Sequence, residues 1–285
     1  MMILTTPPCF RAPSGRLTLL TLLWLGSACI LRSENVTTTD GQVYANTTLR
    51  KAGSNVMIQV VMPGGGSMEM GLPIARIAKV SFPEPPELDK ASDASSSGNA
   101  SEVLALTEAY VAKQGDLKEI PGSWWPQMAR LRLYALAASG KDADAGALAR
   151  EIGAINNAAS ESLSRGGALL GTLASGDTAA VVVGAKAMPS IGGDAGSALA
   201  QLALGRAFLA KKDFAGAIRA FLTIKVFYPS PAMLQPAALL GAVKAYEGLK
   251  DDKRAARTLN EIVENYPSSP QAAEAKKMIE QLPKQ

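Results

Sequence analysis

The sequence predicts a two-part protein, a small all-β module followed by an all-α array of helical repeats. Three observations carry that expectation. Residues 34–82 hold short β-branched runs separated by turn residues. A Pro- and Ser-rich stretch at 83–101 interrupts the chain. Beyond it, alanine-rich helical segments follow one another, and the last two units repeat with a 38-residue period.

The β module begins with Asn35-Val36-Thr37-Thr38-Thr39, and Asp40-Gly41 then favours a tight turn because glycine accepts positive φ without steric cost. Val43 to Lys51 and Asn55 to Met62 read as strands, with Val56, Ile58 and Val60 on one face. Pro63-Gly64-Gly65-Gly66-Ser67 breaks the chain. Pro73 to Val80 reads as a helical turn leading into a last short strand. About five strands are expected. The pattern resembles the small SH3-like or Sm-like modules that follow the signal in some exported bacterial proteins. The glycine run lacks the Lys-Ser/Thr of a phosphate loop and the spacing of a dinucleotide fingerprint, so it reads as a hairpin tip.

Pro83-Glu84-Pro85-Pro86-Glu87 neither continues a helix nor donates to a ladder. Ser92 to Ser101 is small and polar, which predicts a flexible linker over 83–101 and two separate domains. From 102 to 283 the chain reads as helices. Glu102–Lys113 places Val103, Leu106, Ala109 and Tyr110 on one face, and Gln127–Ser139 carries Met128, Leu131, Leu133, Tyr134 and Leu136. Val181-Val182-Val183 is ambiguous between strand and helix.

The repeat lies near the C-terminus. Gly205, Phe208, Ala217, Phe221, Ile224 and Pro229 form one unit; Val243, Tyr246, Ala255, Leu259, Ile262 and Pro267 follow 38 residues on. Both units end in Tyr-Pro-Ser. This pattern resembles the tetratricopeptide repeat, with the clearest repeats at 198–231 and 236–269 and a capping helix at 270–282 that Ser269 and Pro270 would start. Small residues let paired helices approach, and Phe208 and Phe221 fill the space between them. The resemblance implies stacked helix pairs that bind other proteins in a concave groove lined by the first helix of each pair. Leu202 and Arg206, and 38 residues later Leu240 and Lys244, would then form an apolar strip with two aligned cations, a candidate surface for a peptide carboxylate.

Composition excludes several chemistries. The absence of histidine removes His metal sites, His general bases and Ser-His or Cys-His pairs. Two cysteines, Cys9 and Cys29, build no disulfide framework or zinc knuckle. Asp142-Ala143-Asp144 and Asp251-Asp252 read as solvated turns rather than converging catalytic carboxylates. No catalytic residue, metal or cofactor is implied.

The first residues read as a signal peptide over 1–28. Arg11 and Arg16 precede the apolar run Leu17 to Leu25, which is too short for a bilayer span, and Gly26-Ser27-Ala28 follows. Cys29 in that context resembles a bacterial lipobox, with a departure at Gly26, and is a candidate lipidation site. Removing Arg11 and Arg16 from 29 basic residues leaves 27 against 25 acidic ones, which offers no basis for nucleic-acid binding. The tandem units also resemble exported repeat proteins of the bacterial envelope, among them outer-membrane-assembly lipoproteins and Tol-Pal-associated cell-division coordinators.

The sequence therefore implies a non-enzymatic scaffold, periplasmic and anchored by lipid if Cys29 is acylated, whose partner is another envelope protein or peptide. The alternative is a cell-wall or carbohydrate binder acting through the β module and Trp124-Trp125, where stacked tryptophans would form the ligand platform.

Overall fold

The computed structural model describes residues 31–32, 35–45, 48–61, 64–155, 158–188 and 195–281. The predicted signal segment, Cys29, Met62, Pro63 and Leu282 lie outside them.

The β module forms as alternation and turns dictate. Its strands are β1 (Leu31–Arg32), β2 (Asn35–Thr38), β3 (Val43–Ala45), β4 (Thr48–Ala52), β5 (Asn55–Val61), β6 (Ser67–Pro73) and β7 (Ile77–Ser81). They make two antiparallel sheets, ordered β1-β4-β5-β6 and β3-β2-β7. The expected Val43–Lys51 strand is split into β3 and β4, one in each sheet, so the strands outnumber the expected five. Gly41, at φ 86°, turns β2 into β3, and Pro73 leads through a single 3-10 turn into β7. Val36, Val56, Ile58 and Val80 are fully buried between the sheets.

That core is completed from outside the module. Leu117 and Ile120, from the loop between two later helices, are buried in it. Val80 N–H donates to Pro121 O at 2.8 Å, and Lys51 pairs with Glu119 at 2.8 Å. Gly122 has φ 92°, and any Cβ there would collide with the Val80 carbonyl. The two halves are therefore joined by a shared core, not held as separate domains. The seven buried apolar side chains that the strands supply would leave so small a module marginal, and the loop adds the missing cover.

The expected flexible linker is corrected too. Within it runs α1 (Leu88–Ser96), which buries Ala91 and Ala94. Small residues suffice because the helix lies close against its neighbours, and Ser92 and Ser96 satisfy their hydroxyls on carbonyls one turn back. Low hydrophobicity there signals close packing rather than disorder.

The array continues through α2 (Ala100–Lys113), α3 (Trp125–Ala138), α4 (Asp142–Gly153), α5 (Ala158–Ala174), α6 (Thr178–Lys186), α7 (Ala195–Ala210), α8 (Phe214–Phe227), α9 (Leu234–Gly248), α10 (Asp252–Asn265) and α11 (Pro270–Gln281). The Val181 run is part of α6. Helices α1 to α10 form five hairpins with one turn design. Gly98, Gly140, Gly176, Lys212 and Lys250 all take left-handed φ, between 58° and 87°. The next residue's N–H returns to a carbonyl five residues back, as Asp213 does to Phe208 O at 2.9 Å and Asp251 to Tyr246 O at 2.9 Å. Asn99, Asp177, Asp213 and Asp251 then cap the second helix with their side chains.

Most of the predicted repeat positions occupy the hairpin interiors, but Phe208 is only half-buried, and Pro229 and Pro267 are exposed. Ala217, Ile224, Ala255, Leu259 and Ile262 are fully buried, and Phe221 is 1% exposed. A Cβ on either Gly205 or Gly241 would lie 2.5 Å from the Phe221 ring, so the ring is clamped between α7 and α9. Ser269 accepts from Ala272 N at 3.1 Å and starts α11, whose Ala272 and Ala275 are buried.

The array closes on itself. The first helices of successive hairpins, α3, α5, α7 and α9, touch in order, with α11 against α9, and α3 also rests on α9. At the α1–α2 turn, a Cβ on Gly98 would stand 3.3 Å from Pro236 and 3.4 Å from Tyr266. The inner face is thus largely filled by the chain's own α3, and one apolar core runs from Ala91 to Ala275.

Candidate binding site on the inner face of the array

Where α3 ends, the inner face stays open as a pocket of about 310 Å3. Its residues come from five helices, α8 contributing Phe221. Helix α3 supplies its C-terminal turn, whose carbonyls have no partner within the helix. Helix α7 supplies Arg206, α9 supplies Leu240 and Lys244, and α11 supplies Gln271 and Glu274.

Arg206 answers the end of α3. Its Nη2 donates to Ala137 O at 2.7 Å and its Nη1 pairs with Asp142, the first residue of α4. A cation at a helix C-terminus is stabilised by the dipole as well as by the carbonyl it satisfies. Burial raises the Asp142 carboxyl above its ordinary value, and Arg206 only partly pulls it back. Burial also lowers the Arg206 guanidinium, against the pull of Asp142. For both partners desolvation outweighs attraction, the expected balance for a pair taken largely out of water.

Gln271 makes the matching contact one carbonyl further on. Its Nε2 donates to Ala138 O at 2.9 Å, which fixes the orientation of the amide. The residue is 8% exposed, and its Oε1 is buried without a hydrogen-bond partner among the described residues. Lys244 pairs with Glu274 at 3.2 Å, with both side chains about half exposed.

Of the four residues expected to line a groove, Arg206, Leu240 and Lys244 line this pocket together. Leu202 does not: it is fully buried in the array core because closure covers that turn of α7. The two cations are not a free pair either, since each already holds an acid. Sequence reasoning missed Gln271, Glu274 and the end of α3. One signal pointed to Gln271: it lies four residues before Ala275, on the inward face of the capping helix, where a polar residue is out of place.

The tryptophans form no platform. Trp125 is fully buried and donates to Val111 O at 3.1 Å, while the Trp124 indole donates to Phe82 O at 3.3 Å. Both are spent on joining α3 to its surroundings. Among the described residues no group of three or more Cys, Asp or Glu side chains is placed to hold a metal, and no helix is long and apolar enough to cross a membrane.

Stacked hairpins around one core, with a mixed polar pocket at the inner mouth, define a helical-repeat protein. Residues 237–269, covering most of α9, all of α10 and the turn after it, match the tetratricopeptide repeat family model. That match and the array fit a tetratricopeptide-repeat protein. No curated protein and no solved structure matches the chain.

Proposed function

We propose that the chain is a non-enzymatic scaffold of a bacterial envelope, holding another envelope protein at the inner mouth of its helical array. One observation carries this reading. The hairpin that matches the tetratricopeptide repeat is the one that supplies Leu240 and Lys244 to the open pocket. Export and anchoring rest on the leader sequence alone, with Cys29 as the acylated residue if it is processed as a lipoprotein.

The test places a photo-crosslinker at Lys244 and, separately, at the exposed Lys253 on the outer helix α10, in the full-length chain produced in bacterial cells. Crosslinks to one envelope protein from position 244 and not from 253 are the expected result. Crosslinks only from 253 would move the binding surface to the outer face. Mass analysis of the same material reads the N-terminus, and an intact Met1 in the cytoplasm would end the envelope assignment.

A further inference from the structure

Helices α6 and α8 each pack on α7, and a groove of about 400 Å3 remains between them. None of its lining residues lines the inner-mouth pocket. Its apolar side is made by Leu204 and Phe208 of α7 and Ala220 of α8, and Phe208 stays half-buried there. Three charged side chains line the same space. Lys186 and Arg219 are exposed, and neither holds an ion pair among the described residues. At the inner mouth, by contrast, each cation already holds an acid. Asp213 is spent on capping α8, where its Oδ1 accepts from Gly216 N at 2.8 Å. Two cations against one acid leave one positive charge.

Gln201 adds a neutral polar group. The residue is 8% exposed and lines this groove. Its carboxamide makes no hydrogen bond among the described residues, yet its polar atoms are not sealed as Gln114 Oε1 and Gln271 Oε1 are. Nearly all such buried groups in folded proteins have a partner, so an open one marks a place for a polar guest.

We propose that this groove binds a small monocarboxylic acid with a short apolar body. The carboxylate pairs with Lys186 and Arg219, the guanidinium being shaped to take both oxygens, and accepts from Gln201 Nε2. The body lies on Leu204, Phe208 and Ala220. Leu204 and Phe208 stand one helical turn apart, about 6 Å, which a tail of about six carbons spans. A dianion such as phosphate would bring a second charge with no cation left to match it, and it has no apolar part to cover the floor. The volume falls within the range of small-molecule sites, about 300–1,000 Å3. None of this depends on the scaffold reading.

The probes are hexanoate, hexanamide, acetate and inorganic phosphate, each titrated into the 15N-labelled full chain. The Gln201 side-chain amide resonance, assigned by its loss in Gln201→Met, is followed. Hexanoate is expected to shift it saturably. It should bind about tenfold or more tightly than hexanamide, which keeps the body without the charge, and than acetate, which keeps the charge without the body. Replacing both exposed cations, Lys186→Gln with Arg219→Gln, should lower hexanoate affinity about tenfold or more and leave hexanamide unaffected. Equal binding of hexanamide would make this a plain apolar groove, and equal binding of phosphate or acetate a general anion patch. Either result overturns the proposal, as does hexanoate binding that survives the double replacement or the lack of a saturable shift with hexanoate.

Discussion

The hairpins of α3–α6 and those of α7–α10 turn alike but are filled differently. Gly140 and Gly176 in the first pair, and Lys212 and Lys250 in the second, occupy the same left-handed position, 36, 36 and 38 residues apart along the chain. Between the helices the two regions diverge. In the second pair an aromatic ring is the filler, with Phe221 clamped by Gly205 and Gly241. In the first, α4 and α5 meet without one: a Cβ on Gly146 would lie 2.5 Å from Gly171 Cα, backbone to backbone. The difference teaches that the turn sets the hairpin, whereas the filler sets its distance.

The largest effect should come from removing a filler. Phe221→Ala takes a fully packed ring from between two helices and should cost about 3–5 kcal/mol. Adding one where none fits should cost less, and Gly146→Val is expected to destabilise by about 1–3 kcal/mol, since α4 and α5 would have to separate. Urea midpoints of the two variants check the order. A Gly146→Val protein less stable than Phe221→Ala would show that backbone contact, not the aromatic clamp, dominates the array.

Next comes the ion pair that ties the two regions together, Asp142 of the first to Arg206 of the second. Burial holds the Asp142 carboxyl above its ordinary value, so the folded chain binds that proton more tightly than the unfolded chain. The contribution of this group to stability is fully present below the unfolded value of about 3.8. It is lost as pH rises through the raised folded value. Relative to Asp142→Asn, which cannot titrate, the parent should therefore lose ground as pH rises from about 3 to about 6. Unfolding of both proteins across that range reads the difference, in which all other titrating groups cancel. A difference of opposite slope would mean that Arg206 outweighs desolvation.

Much of the fold was legible because its signals are local. Gly41 and the Val56–Ile58 alternation announced the hairpins of the β module, and Ala217, Phe221 and Pro229 recurred at a fixed period. What escaped was set by contacts distant in sequence. Nothing near Leu117 or Ile120 says that they complete a β core, and Ala91 and Ala94 look like linker until α3 is placed beside them. The candidate site was legible by half for the same reason. Leu240 and Lys244 follow from the repeat, whereas Arg206 is committed to Ala137 and Asp142, and Leu202 is covered, through closure that no periodicity encodes. The turn residues Gly140-Lys141 and Gly176-Asp177 were the overlooked local signal for the earlier hairpins.

The smallest effect tests whether those turns are equivalent. Glycine takes a left-handed φ at no steric cost, whereas an L-residue with a Cβ pays about 1–2 kcal/mol for it. Part of that returns when lysine is replaced, because glycine loses more freedom on folding, about 0.5–1 kcal/mol relative to alanine. Lys212→Gly and Lys250→Gly should therefore each stabilise the chain by less than about 1 kcal/mol. The reverse changes, Gly140→Lys and Gly176→Lys, should each destabilise it by a similar amount. The lysine side chains at 212 and 250 are exposed, and a Cβ at Gly140 or Gly176 would meet nothing within 4 Å, so neither exchange is confounded by packing. Melting curves of the four variants give the comparison directly. Equal and opposite shifts would establish one turn design with interchangeable residues. A loss on Lys212→Gly would instead show that the lysines at the second pair of turns contribute something the glycines of the first do not.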